Sequence, residues 1–214
     1  TLHAVNLLNA EDGGNRRCIM VTNNEISAEE RKGFEARGIQ QGDPEWEARG
    51  IARYVTWPRT VCSIEGHDVN GNPLKGNYIG SDIPMADGFK ANAAFFKLGF
   101  LDKTKVSLGM QFKELLSTLW MKAGAIGECP TIDTNIPSIL ILPKNKMAIL
   151  NNENAFAEFK NQLDEHPEIE VVYLVTDYEA GFVSMTKALE GKKTYQLYRD
   201  YLDNFRINAG RNSR

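Results

Sequence analysis

From residue 138 onward, short apolar runs alternate with helical patterns, and no other feature of the sequence constrains the fold as strongly. The predicted elements are, in order, a strand at 138–142, a turn at 143–146, a strand at 147–150, a helix over 154–163, a strand at 169–175 and a helix after Asp177. Strands and helices that alternate at this spacing pack as the layers of an α/β fold. We therefore predict a small α/β domain in this part of the chain.

The beginning of the chain has the pattern of one half of a βαβ unit. Leu2, Val5 and Leu8 recur at helical spacing, which predicts a helix over residues 1–10. Residues 17–22 (RCIMVT) form an apolar run of strand length. A run without alternation is typical of a strand that is covered on both faces, as in parallel sheets. We thus expect a buried strand at 17–22, preceded by a helix.

The middle of the chain has shorter patterns. Ser27 and Glu30 are spaced as a capping box, and Pro44 opens a helix that is expected to reach about Tyr54. The Asn-Gly pair within residues 61–78 predicts a strand pair or a turn-rich insertion. Two further elements are predicted, a strand at 93–100 and an amphipathic helix at 110–123, and the loop at 128–137 is the expected boundary between modules.

The composition excludes several classes of protein. The 214 residues include 42% apolar and 25% charged side chains with a formal net charge of −3, so the chain is not of the disordered or collagen-like kind. The charge argues against a free-standing cationic nucleic-acid binder. No apolar run approaches the roughly 18 to 20 residues that cross a bilayer, and we expect a cytoplasmic location and no membrane partner. The three cysteines and three histidines are scattered, so we predict no metal site.

Glu25 is the candidate ligand-binding residue that its position singles out. It lies just past the predicted strand at 17–22. In nucleotide-binding α/β folds, ligands lie at the carboxyl ends of the strands, and an acidic residue after the second strand accepts hydrogen bonds from ribose hydroxyls. The alternative is an exposed glutamate that helps to begin the next helix.

Aromatic and basic side chains recur at spacings of three and four between residues 44 and 59. They are Trp46, Arg49, Arg53, Tyr54 and Trp57. On one helix these side chains would share a face that can hold phosphates or stack on bases, which makes Arg49 and Arg53 candidates for DNA contact. The alternative is a set of cation–π pairs that only covers the domain. The basic stretch from Lys187 to the end of the chain is a further candidate for nucleic-acid or partner contact.

No catalytic residue is predicted. Phosphate-binding loops, nucleophile elbows, zinc-protease helices and calcium loops are missing from the sequence. Asp177 and Glu179 are the best remaining carboxylates, and Asp177 is expected to cap the helix that follows it.

Four blocks of sequence resemble one known family. They are TLHAVNLLNAEDGGNRRCIMVTNNE, GFKANAAFFKLGFLD, FKELLSTLWMKAGAIGE and YQLYRDYLDNFRIN. Together they resemble the C-terminal part of bacterial DNA adenine-N6 methyltransferases, most of all the modification subunits of type III restriction-modification systems. The likeness covers nearly the whole chain, and its first block is the specific one, whereas residues 61–83 and 128–137 match less clearly.

The resemblance implies a cofactor and a set of residues around it. In that family, a Phe-x-Gly-x-Gly turn around the methionine end of S-adenosylmethionine comes before the segment that matches Thr1. Glu25 would then hold the ribose of the cofactor. Asn23 and Asn24 would be backbone neighbours of the adenosine, and Thr1 would lie at the edge of the methionine pocket. The implied fold is a partial S-adenosylmethionine-dependent methyltransferase sheet of the Rossmann-like type, followed by a small α/β module.

The resemblance also implies that the chain is one portion of an enzyme. The glycine turn and the Asp-Pro-Pro-Tyr box that holds the flipped adenine in that family are both missing from the 214 residues. The complete protein would be a site-specific DNA methyltransferase that transfers a methyl group to adenine N6, with DNA as its partner. We expect the chain alone to be inactive.

The predicted domains are residues 1–109, which complete the catalytic domain, residues 110–136, a helix and linker, and residues 137–214, an appended α/β domain. A rival hypothesis is a non-catalytic module that docks a restriction subunit or a second methyltransferase copy. Its basis is an apolar helix face made of Phe112, Leu115, Leu116, Leu119 and Trp120. Burial of this face in a core is the alternative.

Overall fold

The structure is a computed structural model that describes residues 1–97, 112–133 and 136–197. The chain divides into two compact units, Thr1–Phe95 and Phe96–Arg214. As predicted, the protein is of the mixed α/β class. Within the described ranges, none of the helices combines the length and the apolar character that a membrane-spanning segment requires.

The first unit is built from helices. They are α1 (Leu2–Asp12), α2 (Ala28–Ala36), α3 (Pro44–Arg49), a π-helix (Ala52–Thr56) and α4 (Trp57–Glu65). The predicted helix at 1–10 is confirmed as α1, and it ends at Gly13, whose left-handed backbone (φ 68°) is typical of helix ends. The predicted capping box is also confirmed. The Ser27 hydroxyl accepts a hydrogen bond from the Glu30 N–H (3.2 Å), and the Glu30 carboxylate accepts one from the Ser27 N–H (3.4 Å).

The strand predicted at 17–22 is wrong for this chain. No regular element lies between α1 and α2, and the side chains of Ile19 and Val21 are 85% and 86% exposed. No backbone hydrogen bond involves residues 17–21 within the part of the chain that the structure describes. The physical reason is that a strand exists only by pairing, and the described residues of this unit offer no neighbouring strand. The wider prediction of a Rossmann-like sheet stays a prediction.

The helix predicted from Pro44 to about Tyr54 begins at the expected residue but is interrupted. α3 ends at Arg49, and Gly50 has an extended backbone (φ −62°, ψ 149°). Helical structure then resumes in the π-helix, which continues directly into α4. The interruption turns the side chains before Gly50 away from the direction that one continuous helix would give them.

Two further predictions for this unit have different outcomes. The Asn-Gly pair does form a turn, in which the Gly71 N–H donates to the Asp68 carbonyl oxygen (3.0 Å). Residues 93–97 are not in a strand, so that part of the strand predicted at 93–100 is wrong. Residues 98–100 lie outside the described residues.

The second unit contains a helix, α5 (Leu116–Lys122), which follows a short 3-10 turn at Phe112–Leu115. α5 is the described part of the helix predicted at 110–123, and its last turn is followed by Gly124 with a positive φ of 116°. Residues 110 and 111 lie outside the described residues.

A four-stranded sheet follows α5. Its elements are β1 (Ile139–Leu142), β2 (Met147–Leu150), α6 (Phe156–Asp164), β3 (Val171–Val175), α7 (Glu179–Ala188) and β4 (Lys193–Leu197). The strands lie in the order β1-β2-β3-β4, with β1 antiparallel to β2 and the other neighbours parallel. In this register Tyr173 lies between Ile149 on one side and Tyr195 on the other. The three strands and two helices predicted from residue 138 onward are confirmed, whereas β4 is an element that the sequence patterns did not predict.

Each face of this sheet has its own apolar core. On one face, α5 packs against alternate residues of the two central strands, and this cluster includes Leu116, Leu119, Trp120, Met147, Ile149, Val171, Tyr173 and Val175. On the other face, α6 and α7 pack against the intervening residues, and that cluster includes Ala148, Leu150, Phe159, Leu163, Val172, Leu174 and Met185. Every residue of β2 and β3 is buried, which explains why these strands are continuous apolar runs in the sequence.

The apolar face of α5 is therefore core. Leu116, Leu119 and Trp120 are 1%, 6% and 3% exposed, so they are not available to a docked subunit. This finding removes the observation on which the docking hypothesis was based and agrees with the alternative. Leu115 packs at the edge of the same cluster.

Several predictions fall on residues outside the described ranges. Most of the basic stretch after Lys187 belongs to residues 198–214, and the block that ends in FRIN lies largely there too. The domain boundaries expected at 109 and 136 stay predictions, while the division into compact units falls after Phe95.

Candidate functional site

The residues predicted to contact a cofactor, 23–25, lie in the irregular segment between α1 and α2, and Asn24 ties this segment to the helices that follow. Asn24 has a left-handed backbone (φ 55°), which asparagine adopts more readily than most residues. Its Nδ2 donates to the carbonyl oxygen of Glu47 and to Glu47 Oε2, both at 2.9 Å. Its Oδ1 accepts from the Ala52 N–H (3.0 Å). One side-chain amide thus joins α3 to the first residue of the π-helix.

Gly50 makes room for this amide. A Cβ atom placed on Gly50 would lie 2.1 Å from Cγ of Asn24, a separation that no side chain can adopt. The next residue, Ile51, donates its N–H to the carbonyl oxygen of Glu25 (2.8 Å). The interruption of the helix at Gly50 and the placement of residues 24 and 25 therefore depend on each other.

The Glu25 side chain is exposed, and within the described residues its carboxylate makes no hydrogen bond or ion pair. Asn23 is exposed as well, and its carbonyl oxygen accepts a long hydrogen bond from Gln41 Nε2 (3.4 Å). The Asn24 amide is used by the protein itself, whereas the exposed Glu25 carboxylate can accept hydrogen bonds from a ligand.

Thr1, the fourth predicted cofactor residue, is exposed at the start of α1. It is the N-cap residue, but its hydroxyl makes no capping hydrogen bond. No hydrogen bond joins Thr1 to residues 23–25 in the part of the chain that the structure describes. Thr1 and Glu25 are thus placed at two ends of the segment formed by α1 and the loop after it.

Arg49 and Arg53, the candidates for DNA contact, are both exposed and both lie over aromatic rings. The Arg49 guanidinium carbon is 4.8 Å from the centre of the Tyr54 ring, and that of Arg53 is 5.4 Å from the centre of the Phe95 ring. Trp57 packs against the same Phe95 ring, with 5.7 Å between ring centres. We call these five residues the arginine–aromatic surface.

This surface differs from the predicted one in two aromatic residues, because Trp46 is absent from it and Phe95 is present. Trp46 was expected to share the face, but it is 5% exposed and packs against Phe34, with ring centres 5.8 Å apart. The cause is the interruption at Gly50, which separates the direction of α3 from that of the π-helix. Phe95 is the residue that sequence reasoning missed, because no local pattern connects it with Arg53.

Pro58 explains why the residues before it form a π-helix. A proline in a helix has no N–H to donate, and its ring collides with the carbonyl group of the residue four positions earlier, here Tyr54. The wider π-helix avoids this conflict. In it the Trp57 N–H donates to the carbonyl oxygen of Ala52, five residues earlier, and not to that of the residue four positions earlier. Single π-helical turns of this kind are frequent at functional sites. Here the turn carries both Arg53 and Tyr54.

The carboxyl ends of β2 and β3 carry polar residues that bind one another. The Thr176 hydroxyl donates to Glu153 Oε2 (2.5 Å) and accepts from the Tyr178 N–H (3.1 Å). The N-cap position of α7 is Tyr178, whose side chain makes no capping hydrogen bond, so the prediction that Asp177 would be the N-cap is wrong. Because α6 and α7 pack on the same face, the strand order does not reverse here, and such a reversal is what opens a ligand crevice in α/β sheets.

No His, Cys, Asp or Glu cluster within the described ranges has the three or more members that could hold a metal ion. Comparisons with protein families, with curated proteins and with solved structures give no significant match to this chain.

Proposed function

We propose that this chain is the C-terminal portion of an S-adenosylmethionine-dependent DNA methyltransferase that acts on adenine N6, of the type III modification-subunit kind. Four sequence blocks that resemble this family support the proposal, and the block from Thr1 to Glu25 is the most specific of them. The segment that contains Glu25 also has features that fit the role.

The observation that carries the proposal is the exposed apolar segment at 17–22. Ile19 and Val21 are β-branched residues that favour strands, and both are almost fully exposed to water. Burying a side chain of this size stabilises a protein by roughly 1.5 to 3 kcal/mol, so burial of Ile19 and Val21 in a sheet would be favourable. A segment of this kind fits a central strand of a parallel sheet whose other strands come from the rest of the enzyme.

The same proposal gives Glu25 the role of ribose ligand. If residues 17–22 pair as a parallel strand, Glu25 comes just after the carboxyl end of that strand, where ribose-binding carboxylates lie in nucleotide-binding sheets. The hydrogen bond from Ile51 and the Asn24 amide would hold the backbone of this turn, and the exposed carboxylate would accept hydrogen bonds from the two ribose hydroxyls. S-adenosylmethionine would supply the methyl group.

The proposal is tested by comparing this chain with a polypeptide that also supplies the upstream glycine turn and the Asp-Pro-Pro-Tyr box. We expect the longer polypeptide to methylate adenine in duplex DNA and the 214-residue chain to transfer no methyl group from labelled cofactor. Backbone amides of residues 18–22 should exchange with solvent quickly in the chain alone. In the longer polypeptide they should be protected, because strand pairing would then involve their N–H groups.

Glu25→Gln in the longer polypeptide tests the site itself. An amide accepts fewer and weaker hydrogen bonds than a carboxylate, so we expect cofactor affinity to fall about tenfold or more. The matched control is Glu29→Gln, which removes a charge from an exposed position in the first turn of α2. Equal cofactor affinity in wild type and Glu25→Gln would remove Glu25 from the site. Methyl transfer by the 214-residue chain, or unprotected amides at 18–22 in the longer polypeptide, would contradict the proposal.

A further inference from the structure

We propose that the arginine–aromatic surface binds unpaired nucleotides of single-stranded DNA. The choice of DNA rests on the proposed function, while the surface and its chemistry are properties of the first unit. The inference goes beyond the expectation from the sequence, because it names unpaired nucleotides as the ligand and Tyr54 and Phe95 as the stacking rings.

The arginines of this surface favour a negatively charged ligand. The sequence between Ala48 and Ile64 contains three arginines, Arg49, Arg53 and Arg59, and no acidic residue, although the chain as a whole carries a net charge of −3. Within the described residues none of the three guanidinium groups forms an ion pair or a side-chain hydrogen bond. By contrast, Arg16, Arg31 and Arg37 of the same unit all pair with carboxylates. Three positive charges of this stretch are therefore not used by carboxylates within the described residues, and their N–H groups can donate to phosphates.

Each of the two arginines lies over an aromatic ring, an arrangement that also suits a nucleic-acid ligand. A guanidinium that lies over a ring is held flat and keeps its N–H groups at the edge, where they can donate in pairs to a phosphate. Tyr54 and Phe95 are 56% and 37% exposed, so neither side chain is enclosed by the arginine beside it. Arginines interleaved with exposed rings are the arrangement by which proteins bind single strands with little dependence on sequence.

The preference for unpaired nucleotides follows from what the rings can reach. In duplex DNA the faces of the bases are stacked on one another, and a side chain outside the helix meets only base edges and the backbone. A ring can stack on a base only after the base has left the duplex. Because an enzyme that methylates adenine must take its target base out of the helix, DNA opened in this way is present during the proposed reaction.

The test measures binding of fluorescein-labelled oligonucleotides of about 12 nucleotides to the 214-residue chain by anisotropy, without cofactor and over a range of salt concentrations. We expect single-stranded DNA to bind more tightly than a duplex of the same sequence. Tyr54→Leu should weaken single-strand binding by about fivefold or more, because it keeps an apolar side chain and removes the stacking face. Arg53→Gln should weaken it and reduce the slope of log affinity against log salt by about 0.7.

Matched controls use side chains of the same type at other places. Arg31→Gln removes one positive charge from α2, and Tyr178→Leu removes an exposed tyrosine of the second unit. Both control variants should leave the affinity for single-stranded DNA unchanged within about twofold. An unfolding temperature of Tyr54→Leu equal to that of wild type would show that this substitution acts locally. Equal binding of duplex and single strand, an equal effect of the control variants, or no binding at all would overturn the inference. Because no cofactor is present, these results are independent of whether Glu25 binds S-adenosylmethionine.

Discussion

Replacing Gly50 by alanine should destabilise the first unit through Asn24, a residue distant in sequence. Alanine suits the local backbone, because φ is −62° and no left-handed conformation is involved. On backbone grounds alone the substitution would stabilise the protein by roughly 0.4 to 1 kcal/mol, since alanine has less freedom than glycine in the unfolded chain. The new Cβ, however, would lie 2.1 Å from Asn24 Cγ and would displace the amide.

The expected magnitude follows from the hydrogen bonds of that amide. Asn24 makes three contacts of 2.9 to 3.0 Å with Glu47 and Ala52, each contributing about 1 kcal/mol. Gly50→Ala should therefore cost about 2 kcal/mol after the gain in backbone entropy. Asn24→Gly loses the same contacts but suits the left-handed backbone, and it should also cost about 2 kcal/mol. The double variant loses the contacts once and keeps both backbone gains, so it should cost only about 1 kcal/mol.

Amide hydrogen exchange with mass spectrometry on the full chain measures these differences in peptides that cover residues 50–65. Peptides of α6 in the second unit serve as an internal reference. The matched control is Gly33→Ala in α2, where an added Cβ meets no atom within 4 Å. It should stabilise the chain by up to about 1 kcal/mol, as alanine does in a helix interior.

The decisive quantity is the coupling between the two substitutions, which should be about 3 kcal/mol. If the effects of Gly50→Ala and Asn24→Gly add to within about 0.5 kcal/mol, the Asn24 amide does not occupy the space beside Gly50 and the reasoning is refuted. If Gly33→Ala is as damaging as Gly50→Ala, the cost has a general cause unrelated to Asn24.

Two further predictions concern titration and capping. Burial of the Tyr173 hydroxyl, which donates to the Leu119 carbonyl oxygen (2.8 Å), raises the pKa of this group from 10.0 to about 12. The folded state favours the neutral phenol, so this contribution to stability is complete below pH 10 and is lost as pH rises through about 12. Urea unfolding should show this loss in wild type and not in Tyr173→Phe, and an ultraviolet titration without a late-titrating tyrosine would contradict it. Ser27→Ala should destabilise α2 by about 1 kcal/mol, measured by hydrogen exchange in residues 28–36, and unchanged exchange there would mean that the capping box contributes nothing.

Two of the three strands that sequence patterns predicted correctly share one physical property. β2 and β3 are buried on both faces, so every position is apolar and the pattern reports burial directly. β4 was missed because it lies at the edge of the sheet, where its sequence KTYQL mixes polar and apolar residues and its side chains are only partly buried. Lys193 and Lys122 both lie over the Tyr195 ring of this strand, an arrangement that no local pattern shows.

The candidate site was predictable only in part. The capping box and the exposed Glu25 could be read from the sequence, since each depends on neighbours a few residues away. The contact between Asn24 and Gly50 could not, because it joins two loops that only the folded unit brings together. The contact of Phe95 with Arg53 could not be predicted either, because it too depends on the folded unit. The π-helix has a local sign in the sequence, Pro58.

The sequence by itself determined the helix α1, the beginning of α2, and the strands β1, β2 and β3 with the helices α6 and α7, because capping and apolar periodicity leave local patterns. Only the tertiary structure decided which apolar segments become strands and which side chains form a surface. Residues 18–21 are as apolar as a buried strand, yet they remain unpaired, since a strand requires hydrogen-bond partners from elsewhere in the protein. Trp46 packs against Phe34, apart from the arginines, because the helix is interrupted at Gly50, where the Asn24 amide occupies the space of a side chain. Phe95 lies beside Arg53 through a contact that only the folded unit makes.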